Sequence, residues 1–335
     1  MPSSASSSDA AAYSPADRLL HRLALGWTGA IETSFDLEWA AFGKRAAAIA
    51  IERPIFVCGL ARAGTSLVTR TIASAPGLAW PRYRDMPFPL APNSWARLGG
   101  RRRLESAPRG HGDGLDHDLD TPEAIEEVFW RCFEGGRYLR REGLAPVPPE
   151  GETLARFRRY MALVMLAGGG RRYLSKNNNN VLRVASLAEA FPDAWFVHPF
   201  RNPAAQAASL ERQHVRASEL QTADPFRLSY AGWLGHHEFG LGRRPFLLPG
   251  AEGGWLGTWA SVYGHLLDQP EAMRPRQFFL DYDALRRSPG AVLEALGRFV
   301  EVGRLDAEVR APADDAGVVP SEVQDIYRRL QERAS

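Results

Sequence analysis

The sequence predicts a single-domain α/β fold in which a parallel sheet is flanked by helices. Four short apolar runs of strand-forming residues alternate with segments of helical periodicity, and this alternation is typical of parallel sheets. The chain has 335 residues, of which 45% are hydrophobic and 24% are charged, as in an ordinary soluble globular protein. Because such sheets bind ligands at the carboxyl ends of their strands, we expect a site in the loops that follow the runs. The four runs are residues 55–58, 172–175, 195–198 and 277–280.

The N-terminal segment lacks the features of a folded or targeting element. Residues 1–14 are rich in serine and alanine and are expected to be a disordered tail, so that residues 15–335 form the domain. No basic segment precedes an apolar one, as in a signal peptide, and no stretch approaches the ~20 apolar residues of a transmembrane helix. The two cysteines, Cys58 and Cys132, have neither zinc-site nor disulfide spacing, which suits a reducing compartment. We therefore expect a cytoplasmic protein.

The first run and the residues after it predict a strand, a glycine loop and a helix. Unpaired N–H groups and the partial positive charge at the start of such a helix favour a phosphate. The loop has the outline of the Walker A motif, with Gly59, Gly64 and Ser66 in place, but Thr65 stands where the motif has lysine. Since a P-loop NTPase needs that lysine for the β- and γ-phosphates, ordinary ATP or GTP hydrolysis is disfavoured. The sequence predicts a P-loop-type anion site charged by Arg62, although a glycine loop alone also fits an ordinary turn.

A second set of candidate anion ligands follows the strand at residues 195–198. Arg201 lies just beyond the end of this strand, and Asn202 and Pro203 begin a helix, because proline costs little at the first helical position. Ser209 lies eight residues after Arg201, which is just over two helical turns. A guanidinium at the start of the helix and a hydroxyl inside it could therefore approach one anion.

Together the two motifs resemble the sulfotransferases that use 3′-phosphoadenosine-5′-phosphosulfate (PAPS). The likeness consists of Arg-x-Gly-Thr-Ser after a strand, followed far downstream by a strand, Arg-Asn-Pro and a serine eight residues after the arginine. It covers residues 54–296 and is greatest for the bacterial and tyrosylprotein branches, whose loop reads Pro-Arg-Ser-Gly-Thr-Thr. Ala61, Ala63 and Ser66 depart from that loop, but backbone amides still form the cradle.

The resemblance assigns nucleotide-binding roles to both motifs. It implies that the glycine loop holds the 5′-phosphosulfate and that Arg201 and Ser209 hold the 3′-phosphate. Tyr282 lies in a segment similar to the Tyr-Glu-x-Leu sequence of the family, whose tyrosine contacts PAPS in the tyrosylprotein branch. The loop residues concerned are Arg62, Ala63, Gly64, Thr65 and Ser66.

The same resemblance implies which residues act in catalysis. Lys176 stands at a strand end where the family has a lysine that points at the transferring group, so it and the loop arginine could offset charge developing on the sulfuryl group. Asp85 is the acid nearest to the place where the tyrosylprotein branch has its catalytic carboxylate, and it could take the proton of the acceptor. The alternatives are that Asp85 pairs with Arg82 or Arg84, and that His111 is the base.

Two other polar stretches have alternative interpretations. The asparagines at 177–180 could hydrogen-bond an acceptor, or could make the turn and cap the next helix, which we favour. Residues 111–120 contain two histidines and four acids, but without the fixed spacing of a metal site. We therefore predict no metal, because arginine and lysine would supply the charge that Mg²⁺ supplies in kinases.

The function that the sequence indicates is sulfuryl transfer from PAPS to a hydroxyl or amine of a small molecule, lipid or glycan. The net charge of +2 argues against a nucleic-acid partner bound through bulk charge. One alternative is a P-loop nucleotide or small-molecule kinase, which would require Mg²⁺. Another is a non-catalytic protein that binds PAPS or another nucleotide. The sequence specifies neither the acceptor nor an oligomeric state.

Overall fold

The computed structural model describes residues 14–98, 107–108, 116–117, 122, 124–309 and 317–334. Residues 1–13 of the predicted tail, His111 and most of the stretch at 111–120 lie outside these residues. Ser14, which the sequence assigned to the tail, instead caps the first helix, because its hydroxyl accepts a hydrogen bond from the backbone N–H of Asp17 (3.1 Å).

The strands of the described residues are β1 (Ile55–Val57), β2 (Leu78–Ala79), β3 (Ala107–Pro108), β4 (Asp116–His117), β5 (Arg172–Lys176), β6 (Trp195–Phe200) and β7 (Gln277–Asp281). Five of them form one parallel sheet in the order β2-β5-β1-β6-β7, and β3 and β4 form a separate antiparallel pair. All four predicted strands lie in the parallel sheet. The remaining strand of this sheet, β2, has only two residues at the sheet edge, which is too short for a periodicity that a sequence could reveal.

The strand order places β1 at the centre of the sheet, between β5 and β6. After β1 the chain builds one side of the sheet through β2 and β5, and then crosses to the other side for β6 and β7. In open parallel sheets, ligands bind in the crevice at such a reversal, outside the carboxyl ends of the strands. The glycine loop follows β1 directly and therefore lies at this crevice.

Helices cover the sheet and complete the described structure. None of the helices in the described ranges has the combination of length and hydropathy that a membrane span requires. The first two helices pack against each other before the chain enters the sheet. The helices are α1 (Pro15–Leu25), α2 (Thr28–Ala46), α3 (Thr65–Ala73), α4 (Pro92–Leu98), α5 (Glu127–Tyr138), α6 (Gly151–Gly168), α7 (Val184–Ala190), α8 (Pro203–Ala223), α9 (Pro225–Trp233), α10 (Gly254–Leu267), α11 (Tyr282–Arg287), α12 (Pro289–Phe299) and α13 (Ser321–Ala334).

The hydrophobic core lies on both faces of the sheet, which explains why the strands are apolar runs and not alternating patterns. On β1, Phe56 points into the larger cluster, which includes side chains of α2, α5, α6, α10 and α13. Ile55 and Val57 point to the opposite face, where they pack with α3 and α12. Successive side chains of a strand alternate between faces, so β1 contributes to both layers. This burial fixes the strand end from which the glycine loop starts.

Candidate active site

The glycine loop spans the short gap between β1 and α3 and has a specified backbone shape. Gly64 is the N-cap of α3 and has a left-handed backbone, with φ of +85°. Arg62 is also left-handed, with φ of +69°, which is uncommon for a residue with a side chain. Two left-handed residues in three turn the chain sharply into the helix. The loop amides therefore stand at the N-terminus of α3, where they favour a negative charge.

Tyr282 lies directly against this loop, although it is far away in the sequence. It is the first residue of α11, which follows β7 without a break. A Cβ atom added at Gly64 would lie only 2.3 Å from Cδ2 of the Tyr282 ring, so the ring occupies the space that a side chain would need. The Arg286 guanidinium lies 5.9 Å from the centre of the same ring. The carboxyl end of β7 is thus part of the site.

A hydrogen bond joins the two predicted anion motifs. The Arg62 guanidinium donates through Nε to the Ser209 hydroxyl at 3.1 Å, across 147 residues of sequence. Ser209 is buried in α8, so this hydroxyl faces the glycine loop and not the solvent. The loop and the start of α8 therefore share one crevice.

Arg201 lies at the end of β6, on the same edge of the sheet as the glycine loop. Its Nε is 3.6 Å from Oδ1 of Asp283, and its side chain is 14% exposed. The other carboxylate oxygen of Asp283 accepts a hydrogen bond from the backbone N–H of Asn202 at 2.8 Å. Asn202 in turn caps α8, since its side-chain oxygen accepts from the Ala205 N–H (3.1 Å). Asp283 thus orients both Arg201 and the first turn of α8.

Lys176 is the last residue of β5 and is aligned with Val57, the last residue of β1. The next backbone N–H, that of Asn177, donates to the Val57 carbonyl at 3.1 Å. Since the glycine loop begins two residues after Val57, the sheet register brings Lys176 beside the start of the loop. The glycine loop, Lys176, Arg201, Ser209 and Tyr282 therefore all lie at the carboxyl ends of the parallel strands.

Asp85 is buried, at 3% exposure, at the end of a short 3₁₀ turn. Its carboxylate accepts hydrogen bonds from the Arg82 backbone N–H (2.9 Å) and from Arg82 Nη2 (3.2 Å). The alternative in which Asp85 pairs with Arg82 is therefore present in the structure. Burial raises the pKa of Asp85 above its ordinary value, and the positive charge of Arg82 opposes this shift. His111, the other candidate base, lies outside the described residues.

The asparagines at 177–180 form a buried turn, as the favoured interpretation expects. Asn177 caps it by accepting a hydrogen bond from the Asn179 N–H (3.1 Å). The side-chain amide of Asn177 donates to Glu127 at 2.8 Å, and that of Asn180 donates to Glu126 at 2.8 Å. These side chains therefore bind interior carboxylates directly behind Lys176.

Glu127 and Arg183 form a buried ion pair that the sequence did not reveal. Two hydrogen bonds of 2.9 Å join the guanidinium to the carboxylate, and neither side chain is more than 2% exposed. Burial alone would raise the pKa of Glu127, but the Arg183 charge and several hydrogen bonds outweigh it and hold this pKa below its ordinary value. The only sequence signal was two adjacent carboxylates in an otherwise apolar helical start.

Gln206 is a second residue that the sequence did not single out. It is fully buried on α8, between Arg201 and Ser209, and its side-chain amide donates to the carbonyl oxygens of the glycine loop. In the described part of the chain, no group of three or more His, Cys, Asp or Glu residues could hold a metal ion.

The sequence and the structure were both compared with known proteins. The profile of the Sulfotransferase family matches residues 54–306, which is well over half of the chain. A search of curated proteins finds no match.

Three solved structures are similar, each with 15% sequence identity. Sulfotransferase STF1 from Mycobacterium tuberculosis H37Rv has a TM-score of 0.49 and covers 96% of this chain and 85% of its own. Sulfotransferase STF9 from Mycobacterium avium has a TM-score of 0.47, and the match covers 97% of this chain and 79% of STF9. A sulfotransferase from Alicyclobacillus acidocaldarius has a TM-score of 0.37, and the match covers 85% of this chain and 93% of that protein. On the match of the family profile, which includes both anion motifs, the chain belongs to the sulfotransferase family.

Proposed function

We propose that the protein transfers a sulfuryl group from PAPS to a hydroxyl or amine of a small molecule, lipid or glycan. The observation that carries this proposal is the hydrogen bond between Arg62 and Ser209, which joins the two anion motifs in one crevice. A donor with a phosphate at each end of its ribose needs two such pockets close together. Membership of the sulfotransferase family supports a transferase, and the two pockets support PAPS as the donor.

In this proposal each pocket holds one end of the nucleotide. The backbone amides of residues 62–66 bind the 5′-phosphosulfate at the N-terminus of α3. Arg201 and Ser209 bind the 3′-phosphate, which ATP lacks, and so favour PAPS over ATP. The Tyr282 ring lies against Gly64 and forms one wall of the nucleotide pocket.

The remaining residues act on the transferring group. PAPS supplies an activated sulfuryl group: the acceptor oxygen or nitrogen bonds to sulfur as the bond from sulfur to the phosphate oxygen breaks, leaving adenosine 3′,5′-bisphosphate (PAP). Arg62 and Lys176 offset the negative charge that grows on that oxygen. Asp85 takes the proton of the acceptor. Charge is supplied by these side chains, so the proposal includes no metal.

The raised pKa of Asp85 predicts how activity depends on pH. A base must be ionised to take a proton, and burial raises the pKa of Asp85 while Arg82 opposes this shift. We therefore expect kcat/KM to rise with pH through a midpoint above the ordinary aspartate value. Replacement of Asp85 by Asn should abolish turnover and leave PAP affinity unchanged. Near-normal turnover of the Asp85→Asn variant would move the base to another residue, with His111 the next candidate.

Calorimetric titration of the protein with PAP and, separately, with ATP tests the identity of the donor. Each titration is run with and without Mg²⁺. We expect PAP to bind without Mg²⁺ and ATP to bind more weakly. The Arg201→Ala variant should lose at least ~2 kcal/mol of PAP binding, about thirtyfold, because one partner of a charged hydrogen bond is removed. Arg274→Ala is a matched control, since this arginine is on the surface and pairs with Glu271. Equal PAP affinity in wild type and Arg201→Ala, or tighter binding of ATP with Mg²⁺, would contradict the assignment and favour a kinase.

One observation favours a second candidate, a nucleotide-binding protein without catalysis. Asp85 is already engaged by two hydrogen bonds from Arg82, which a base must loosen or share to accept a proton. This candidate predicts PAP binding with no release of PAP from PAPS in the presence of hydroxyl and amine acceptors.

We also propose a reducing location such as the cytoplasm, since Cys58 and Cys132 are both free thiols.

A further inference from the structure

We propose that Gln206 is a positioning residue that sets the direction of the amide groups in the glycine loop. Its side chain is 0% exposed and lies on α8, three residues before Ser209. The identity of the anion rests on the proposed function, whereas the role of Gln206 rests on contacts within the protein.

The contacts of Gln206 use both ends of its amide. Nε2 donates to the Ala61 carbonyl at 2.9 Å and lies 3.3 Å from the Leu60 carbonyl. Oε1 accepts a hydrogen bond from the Trp259 indole N–H at 3.0 Å. The indole can only donate and the carbonyls can only accept, so this is the one orientation of the amide that satisfies all three partners.

These contacts determine where the neighbouring N–H groups point. In a planar trans peptide, the C=O of one residue and the N–H of the next point in opposite directions. Because the Leu60 and Ala61 carbonyls point at Gln206, the N–H groups of Ala61 and Arg62 point away from it. Of these two groups, the N–H of Arg62 belongs to the amides of residues 62–66 that the proposed function assigns to the 5′-phosphosulfate. A loop that turned the Ala61 carbonyl the other way would turn this N–H back toward Gln206 and put an oxygen dipole in its place.

The side chains around Gln206 are buried and hydrogen-bonded to one another. Tyr263 lies 3.3 Å from Gln206 Nε2 through its hydroxyl, which donates to the Pro199 carbonyl on β6 at 2.8 Å. Trp259 and Tyr263 both belong to the α10 helix and are fully buried. The glycine loop is therefore held against β6 and α10 by a chain of buried hydrogen bonds.

The same face of α8 controls a second feature of the loop. Residues three apart on a helix lie on one face, so Gln206 and Ser209 are neighbours along α8. Gln206 holds the loop carbonyls, and Ser209 accepts from the Arg62 guanidinium. The helix that carries the 3′-phosphate ligand thereby also shapes the pocket for the 5′-phosphosulfate.

Replacement of Gln206 by Met tests the inference, because methionine keeps the size of the side chain and removes its hydrogen bonds. The matched control is Gln221→Met, a buried glutamine on the same helix that accepts from the Leu241 N–H (2.7 Å). The ligands are adenosine 5′-phosphate, adenosine 3′-phosphate and PAP, titrated by calorimetry. We expect Gln206→Met to weaken the binding of adenosine 5′-phosphate and of PAP at least tenfold. Binding of adenosine 3′-phosphate should weaken less than threefold. Gln221→Met should leave all three affinities unchanged.

A second measurement decides the role of Gln206 without any ligand. Amide hydrogen exchange of residues 59–66 should become at least tenfold faster in Gln206→Met and stay unchanged in Gln221→Met. If Gln206→Met is too unstable to purify, Gln206→Asn keeps the amide on a shorter side chain and is expected to show the same faster exchange. Unchanged exchange in the Gln206 variant, or an equal loss of the 3′- and 5′-phosphates, would overturn the inference. Failure of the wild type to bind any of the three nucleotides would instead count against PAPS as donor, and exchange would still decide the role of Gln206.

Discussion

Gly64 shows how one residue determines the shape of the glycine loop. Its φ of +85° strains any residue with a side chain, and a Cβ atom would meet the Tyr282 ring at 2.3 Å. Strain of this kind costs ~1–3 kcal/mol. We expect Gly64→Ala to weaken PAP at least tenfold, because either the loop or Tyr282 must move. Calorimetric titration of the variant measures this loss.

Gly136→Ala is the control for that prediction. Gly136 is an exposed residue within α5, and nothing lies within 4 Å of a Cβ added there. Alanine is favoured over glycine in a helix interior by ~0.5–1 kcal/mol, so this variant should gain stability and keep its PAP affinity. Equal PAP affinities of the two variants would show that the Gly64 conformation does not matter for binding.

The buried pair of Glu127 and Arg183 should dominate the stability of the region behind Lys176. Removal of one partner leaves an uncompensated buried charge, which costs ~3–5 kcal/mol. Arg183 also lies over the rings of Trp130 (4.8 Å) and Tyr138 (4.6 Å), so its loss removes packing as well. We expect Arg183→Met to lose this amount of unfolding free energy in urea.

The matched control is Arg298→Met, at a surface pair with Glu294 whose side chains are about 70% exposed (72% and 68%). An exposed pair contributes ~0–1 kcal/mol, so this variant should unfold almost as the wild type does. If both variants lost the same unfolding free energy, the burial of Glu127 would not strengthen its pair.

At the level of single residues, the sequence predicted groups that belong to a motif and missed groups that act through packing. Arg62 and Ser209 belong to two motifs that the resemblance to one family assigned to a single site, and the hydrogen bond between them joins those motifs. Gln206 lies in a helix of alanines, where a glutamine looks like any solvated residue. Its hydrogen bonds to the Leu60 and Ala61 carbonyls depend on how α8 packs against the glycine loop, which no spacing in the sequence indicates.

Among the elements, α8 connects the most parts of the site. The Asn202 side chain caps this helix, and the Asn202 backbone N–H donates to Asp283. The Asp283 carboxylate also pairs with Arg201. We expect Asn202→Ala to cost ~1 kcal/mol of unfolding free energy through loss of the cap. Because Arg201 precedes the cap, the variant should also bind adenosine 3′-phosphate several-fold more weakly. Urea unfolding and calorimetry measure the two effects.

The Ser14→Ala variant removes a comparable cap from α1, because the Ser14 hydroxyl accepts a hydrogen bond from the Asp17 N–H. Its stability loss should be similar or smaller, and it should leave nucleotide affinity unchanged. A loss of 3′-phosphate binding in both variants would mean that helix capping affects the site only through global stability.

The elements that the sequence predicted best are the strands formed by buried apolar runs. The run at residues 195–198 predicted a strand, and the structure extends it through Pro199 to Phe200, where its register with β7 continues. Proline is disfavoured inside a sheet because it cannot donate a ladder hydrogen bond, so Pro199 argued against a longer strand. The Pro199 carbonyl, which proline retains, accepts a hydrogen bond from the Tyr263 hydroxyl.

At the scale of the whole molecule, the site exists only because the sheet brings four separate segments to one edge. The loop after β1, the end of β5, the start of α8 and the start of α11 follow adjacent strands in the order β5-β1-β6-β7. The alternation of strands and helices predicted that edge. It could not predict which strands are neighbours, since that order depends on how helices of both core layers cover the sheet.

This arrangement predicts that the nucleotide protects distant segments together. At a PAP concentration of 100 times Kd, binding stabilises the folded state by about 2.7 kcal/mol, which slows amide exchange through openings that release the ligand by about 100-fold. We expect this slowing in residues 59–66, 201–209 and 282–286 at once, because in the two-pocket proposal one ligand contacts all three segments. Amides of α1 and α13 that exchange through local openings, in which the ligand stays bound, should not change, and ATP at equal concentration should protect less. Protection confined to the glycine loop would mean that the α8 segment does not bind the same molecule, and the two-pocket proposal would then be wrong.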